Sequence, residues 1–109
     1  MTLVRKKVTN VKWPVKITTP CDGGTWSVET FTGVFKKIGL NQIEKLADKG
    51  DLHLVKDVLK GWEDIKDEDG NDVPFNKKEL DDFLNDINFI KGTVQAILDM
   101  QRGAPEKNS

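Results

Sequence analysis

Asn10-Val11-Lys12-Trp13-Pro14-Val15-Lys16-Ile17 alternates polar and apolar side chains with a period of two. That is the spacing of a strand with one face buried and the other in water. Pro14 has no N–H to give a neighbouring strand, so this reads as an edge strand, or as one that turns that position outward. Pro20-Cys21-Asp22-Gly23-Gly24 follows as a turn, because proline presets φ and glycine accepts positive φ without a Cβ clash. Thr25 to Phe35 is rich in β-branched and aromatic residues and reads as a second, longer strand. Its alternation puts Trp26 and Val28 on one face and Phe31 and Phe35 on the other, with a bulge or bend expected at Gly33. The stretch predicts a β-hairpin.

Helical spacing begins after the hairpin. Asn41-Gln42-Ile43-Glu44 fits a capping box, with Asn41 as N-cap of a helix running to about Lys49 and Gly50 at its C-terminal αL position. Asp51 is expected to cap a second helix, in which Leu52, Val55, Val58 and Leu59 recur at spacings of three and four before Gly61 ends it. Between Ile65 and Val73, Asp69-Gly70-Asn71 is a strong turn signal, compatible with a short hairpin or a plain loop. Asn76-Lys77-Lys78-Glu79 repeats the capping-box pattern and opens a third helix through Leu84. A break near Asp86 leads to a last helix over Ile87 to Arg102, with Ile87, Ile90, Val94, Ile97 and Leu98 on one stripe. The expected fold class is α+β: an N-terminal antiparallel β-hairpin or small sheet with about four helices packed on it. Residues 1–102 form one domain in this reading, and 103–109 a flexible polar tail.

The whole-chain quantities fit that size of fold. Of 109 residues, 31 are Leu, Ile, Val or Phe, about 28% and above the roughly 20% below which chains tend to stay disordered. No apolar run approaches the roughly 18 residues of a membrane helix. Val4 leads straight into Arg5-Lys6-Lys7, which is not a signal-peptide pattern, so an intracellular, soluble domain is expected. A single cysteine excludes an intramolecular disulfide and a cysteine-rich zinc site. The net charge of −1 conceals a polarity. Residues 1–19 carry Arg5, Lys6, Lys7, Lys12 and Lys16 and no acid, whereas Glu63 to Asp86 holds ten acids against Lys66, Lys77 and Lys78.

Candidate chemistry is sparse. With Gly70 at position 6 of an EF-hand loop, Ile65 and Asn76 fall where the first ligand and the bidentate Glu belong, so the acidic stretch reads as a solvated turn. His53 has Asp57 four residues on, a partner that would raise its pKa, but no Ser or Cys completes a triad. Cys21 stands beside Asp22, whose charge opposes thiolate formation. No GxGxxG or P-loop is present, so neither enzyme nor cofactor is expected. The basic N-terminal stretch allows a nucleic-acid-binding regulator, but the pI of about 5.8 and the lack of a reader motif argue against it. Lysines on an edge strand also serve simply to discourage unwanted pairing. Trp13, Trp26 and Trp62 read as core or core-rim residues, with Trp62, at the start of the acidic loop, the one placed to anchor a partner. Lys12, Lys16, Trp62, Asp67 and Asp69 are therefore the candidate partner-binding residues.

Several features recur in order along the chain: the strand ending Ile17-Thr18-Thr19-Pro20-Cys21-Asp22-Gly23-Gly24, the segment Trp26 to Lys36, Gly61-Trp62, the acidic Asp69-Gly70 turn, Val73-Pro74-Phe75 and the capped Asn76-Lys77-Lys78-Glu79-Leu80. Taken together, the chain resembles the small tail assembly chaperones of long-tailed bacteriophages and prophages. The resemblance implies a non-enzymatic protein of the host cell cytoplasm. It would bind the long, helical tape measure protein and the tail tube protein during tail morphogenesis. A small structural tail or head–tail connector protein is the alternative. Self-association is also expected, either by strand addition at the Val11–Ile17 edge or by head-to-tail attraction between the basic and acidic ends.

Overall fold

A computed structural model describes residues 10–102; the basic Arg5-Lys6-Lys7 and the expected polar tail at 103–109 lie outside the described residues. The hairpin is present as two twelve-residue strands, β1 (Asn10–Cys21) and β2 (Thr25–Lys36), paired one to one from Asn10↔Lys36 to Cys21↔Thr25. The register runs unbroken through Pro14, as an edge strand permits when the missing donor points away from its neighbour. Along β1 the predicted alternation holds: Val15 is buried and Val11, Trp13 and Ile17 half-buried, while Lys12, Pro14, Lys16 and Thr18 are exposed.

After the hairpin come α1 (Leu40–Lys49), α2 (Asp51–Val58), β3 (Leu59–Glu63), α3 (Lys77–Phe83) and α4 (Ile87–Arg102). The fold is α+β: an antiparallel sheet of order β1-β2-β3 with helices over one face. α4 lies against β1, α2 against α4 and the sheet, and α1 leans on α2. β3 corrects the expectation that α2 would continue to Gly61. Leu59 and Trp62 fit the helical spacing of Val55 and Val58, so local sequence could not show the switch. Pairing with β2 makes it, through Val34↔Gly61 and Thr32↔Glu63.

The expected bulge is also displaced. β2 stays regular at Gly33, and the irregularity falls between Val34 and Phe35, where Val34 pairs with Gly61 and Phe35 with Leu59, leaving Lys60 as the extra residue. Gly33 has another purpose. The Phe35 ring folds back across it, and a Cβ there would lie 2.6 Å from two ring carbons. Gly92 is a second close approach, where α4 crosses β1 so tightly that a Cβ would collide with the Lys16 carbonyl.

Helix ends follow the sequence only in part. Asn76 caps α3, its Oδ1 accepting from the Glu79 N–H at 2.9 Å, and Asp86 Oδ1 accepts from the Asn88 N–H at 2.8 Å at the start of α4. Asn41 and Asp51 are not N-caps but lie inside their helices, whose caps are Gly39 and Gly50. Gly50, with φ 113° and ψ 161°, joins α1 to α2 with its N–H bonded to the Ala47 carbonyl, outside the expected αL region.

The core gathers Val15, Phe31, Phe35, Leu54, Val55, Val58, Leu59, Trp62, Phe89, Ala96 and Ile97, each fully buried large side chain stabilising the fold by roughly 1.5–3 kcal/mol. On α4 the buried stripe runs through Phe89, Thr93, Ala96 and Ile97, and Ile87, expected on it, is exposed. An aromatic chain ties the elements together. Phe31 stacks on Phe89 at 5.6 Å and Phe89 on Phe83 at 4.9 Å, while Trp62 meets Phe83 and Phe75 edge-on at 5.2 and 4.7 Å.

Candidate functional site

The sheet has one covered and one uncovered face. On the uncovered face, Trp26 and Val28 stand two residues apart on β2, 65% and 54% exposed. Thr18 and Pro20 of β1 pair across from Val28 and Trp26. Sequence alternation had already set Trp26 and Val28 opposite Phe31 and Phe35. Assigning Trp26 to the core or its rim overlooked that signal, and the structure reverses the assignment.

Beside this apolar pair runs a groove of about 480 Å³ between β1 and α4. Pro14, Lys16, Thr18 and Trp26 form one wall, and Lys91, Gln95 and Asp99 stand on the other. The close crossing at Gly92 brings α4 to the strand and so creates the groove. Lys16 thus belongs to a recognisable surface. Lys12 is on the same face, but its ammonium pairs with Glu63 at 2.6 Å, and that hydrogen bond and charge raise its pKa above the ordinary value. Part of the positive strip seen in the sequence is thereby neutralised within the sheet.

Trp62 takes the core position read for it rather than an exposed one. It is buried at 8% exposure, with its indole N–H donating to the Val73 carbonyl at 2.8 Å. Its neighbours Phe75 and Phe83 come from segments more than ten residues away, so the core position read for it rests on residues the local sequence did not show. The loop itself is a short hairpin. Val73 N–H donates to the Ile65 carbonyl, Asp67 N–H to the Asn71 carbonyl, and Lys66 is ion-paired with Asp72. Lys66 has its pKa raised by the bond and charge of Asp72. Asp67 Oδ1 accepts from the N–H groups of Asp69 and Asn71 at 2.9 and 3.0 Å, so Asp67 is engaged in holding the turn while Asp69 is exposed at its tip.

His53 is exposed on α2, and Asp57 pairs with Lys36 at 3.8 Å rather than with the histidine. Among the described residues, no three His, Cys, Asp or Glu side chains converge as a metal set. Among the same residues, no helix is long and apolar enough to cross a membrane. No protein-family model, curated protein or solved structure matches this chain.

Proposed function

We propose that this is a protein-binding module acting as a phage tail assembly chaperone, which holds the tape measure protein and recruits tail tube subunits before polymerisation. One observation carries the reading: Trp26 and Val28 form an exposed apolar pair on an uncovered sheet face, next to a groove rimmed by Lys16, Lys91 and Asp99. A large aromatic left in water beside a groove suits an amphipathic helix, whose apolar stripe covers the ring while its charged flanks meet the rim. The tape measure protein is a client of that shape. The resemblance described above adds the assembly role, the host cytoplasm as its place and the absence of catalysis.

The test is co-purification of the chain with the long helical reading frame encoded beside its gene. Wild-type protein retains that client and keeps it soluble, whereas Trp26→Ala/Val28→Asp releases it without loss of fold. Retention by the double variant, or no retention by wild type, overturns the proposal. Mass spectrometry of purified particles finds little or none of a chaperone and a fixed copy number of a connector protein.

A further inference from the structure

Pairing on the β3 side of β2 covers only Thr32–Phe35 of its twelve residues. Among the described residues, no backbone group bonds to Thr25–Phe31 from that side. The alternation of the sheet shows which groups stay open there. Pro14 lacks an N–H within an unbroken register, and the Lys16 carbonyl faces Gly92 on α4, so even-numbered β1 residues point their backbone groups away from β2. Antiparallel pairing then turns the N–H and C=O of Trp26, Val28 and Thr30 outward, in line with Thr32 and Val34, which β3 takes. Such an edge recruits extended chain, because the bonds it offers are to backbone. Thr25 to Thr30 holds no proline and no lysine, the usual guards of an exposed edge.

Side chains decide which extended chain fits. An added strand sends alternate residues to the two faces of the sheet. On the covered face the edge borders a cleft of about 210 Å³, with Glu29 and Phe31 on one side and Asp64 and Ile65 on the other, where the chain turns after β3 at Asp64, φ 69°. Phe83 and Phe89 give it an apolar floor. Glu29, Asp64 and Asp86 line it, and among the described residues none of the three is ion-paired. The one lysine there, Lys66, is held by Asp72. Asp86 accepts from the Asn88 N–H at 2.8 Å and Asp64 from the Thr32 hydroxyl at 3.4 Å, bonds that leave both charges uncompensated. An acidic or neutral strand would cover these carboxylates without a counter-charge, whereas a basic one neutralises them. On the other face, the added strand comes out beside the exposed Trp26 and Val28.

We infer that the Thr25–Phe31 edge of β2 accepts, as an added strand, an extended segment of a partner protein with the pattern basic–apolar–apolar–apolar–basic. The central apolar side chain sits over the Phe31, Phe83 and Phe89 floor. The two bases lie two residues to either side and so on the same face, one meeting Glu29 and the other the wall of Asp64 and Asp86. The remaining two apolar side chains flank Trp26 and Val28. Glu29 acts as a filter: a charge aimed inward beside an open edge penalises any strand that brings no base to it, which keeps the edge from pairing indiscriminately. This edge is on the far side of the hairpin from the α4 groove, and the inference does not depend on the helical client proposed above.

Anisotropy of a labelled synthetic peptide, Ser-Lys-Val-Leu-Val-Lys-Ser, titrated with the full chain tests the inference. The peptide binds, and less tightly as salt rises. Methylating the backbone nitrogens of its two valines removes the donors that face the edge and weakens it by about tenfold or more. Glu29→Lys, at an exposed position, weakens the unmethylated peptide by about fivefold and improves binding of the same peptide with glutamate in place of lysine. No binding, equal binding of the methylated peptide, or indifference to Glu29→Lys overturns the inference. Binding that appears only once residues 1–9 are deleted, or self-association that the peptide displaces, gives the edge to this chain or a second copy and overturns it as well. A chain that binds the peptide but not the tape measure protein keeps this inference and loses the client reading.

Discussion

The two halves of β2 differ more than any two helices of the molecule. From Phe31 to Phe35 every second residue is buried, and both edges are paired over most of that length. Among the described residues, Thr25 to Thr30 has one strand partner, and its largest side chains, Trp26 and Val28, are in water. Both halves have the same β-forming composition, so strand propensity does not separate them. The helices do, by covering one face, together with a β3 only five residues long. One half holds the fold together, and the other leaves its largest side chains exposed.

That contrast can be broken by substitution. Phe35→Ala, at a fully buried ring, is expected to cost about 3–5 kcal/mol in urea unfolding, whereas Trp26→Ala stays within roughly 0.5 kcal/mol while abolishing client retention. Equal costs would show that the two halves share one role. Gly33→Ala places a methyl 2.6 Å from the Phe35 ring, and an expected loss of about 1–3 kcal/mol would show as a lower unfolding midpoint. Trp62→Phe keeps an aromatic between Phe75 and Phe83 but removes the N–H that satisfies the Val73 carbonyl, costing about 1 kcal/mol.

The smallest effect belongs to the exposed pair of Lys12 and Glu63. Because the folded pKa of Lys12 is raised, its contribution is fully present below the ordinary lysine value and fades as pH rises through the higher folded one. Unfolding midpoints of wild type and Lys12→Met should therefore differ slightly at neutral pH and low salt and converge at strongly alkaline pH. A gap that persists there would assign the effect to packing of the lysine stem.

Legibility followed the range of the interactions. β1, its alternation, the turn, the Asn76 cap and the span of α4 rest on neighbours within a few residues, and the sequence carried them. β3 was hidden because Leu59 and Trp62 satisfy helical spacing as well as a strand. Lys16 lines the groove beside α4, a placement set by the α4 crossing, and Lys12 pairs with Glu63, a contact from far along the chain that no local pattern shows. The core reading of Trp62 held, but what covers it, Phe75, Phe83 and Val73, comes from later in the chain and was not legible.

By itself, then, the sequence determined an α+β domain whose hairpin has one apolar face, since a period of two and the Pro20–Gly24 turn are local physics. Tertiary structure alone decided which edge and which tryptophan stay open. α4 lies across β1 at Lys16, where Gly92 lets it approach, so the Val11–Ile17 edge that looked adhesive is covered at that point. Among the described residues, pairing from the β3 side stops at Thr32, where the chain turns away at Asp64, and no strand pairs with Thr25–Phe31 there, while Trp26 stays exposed.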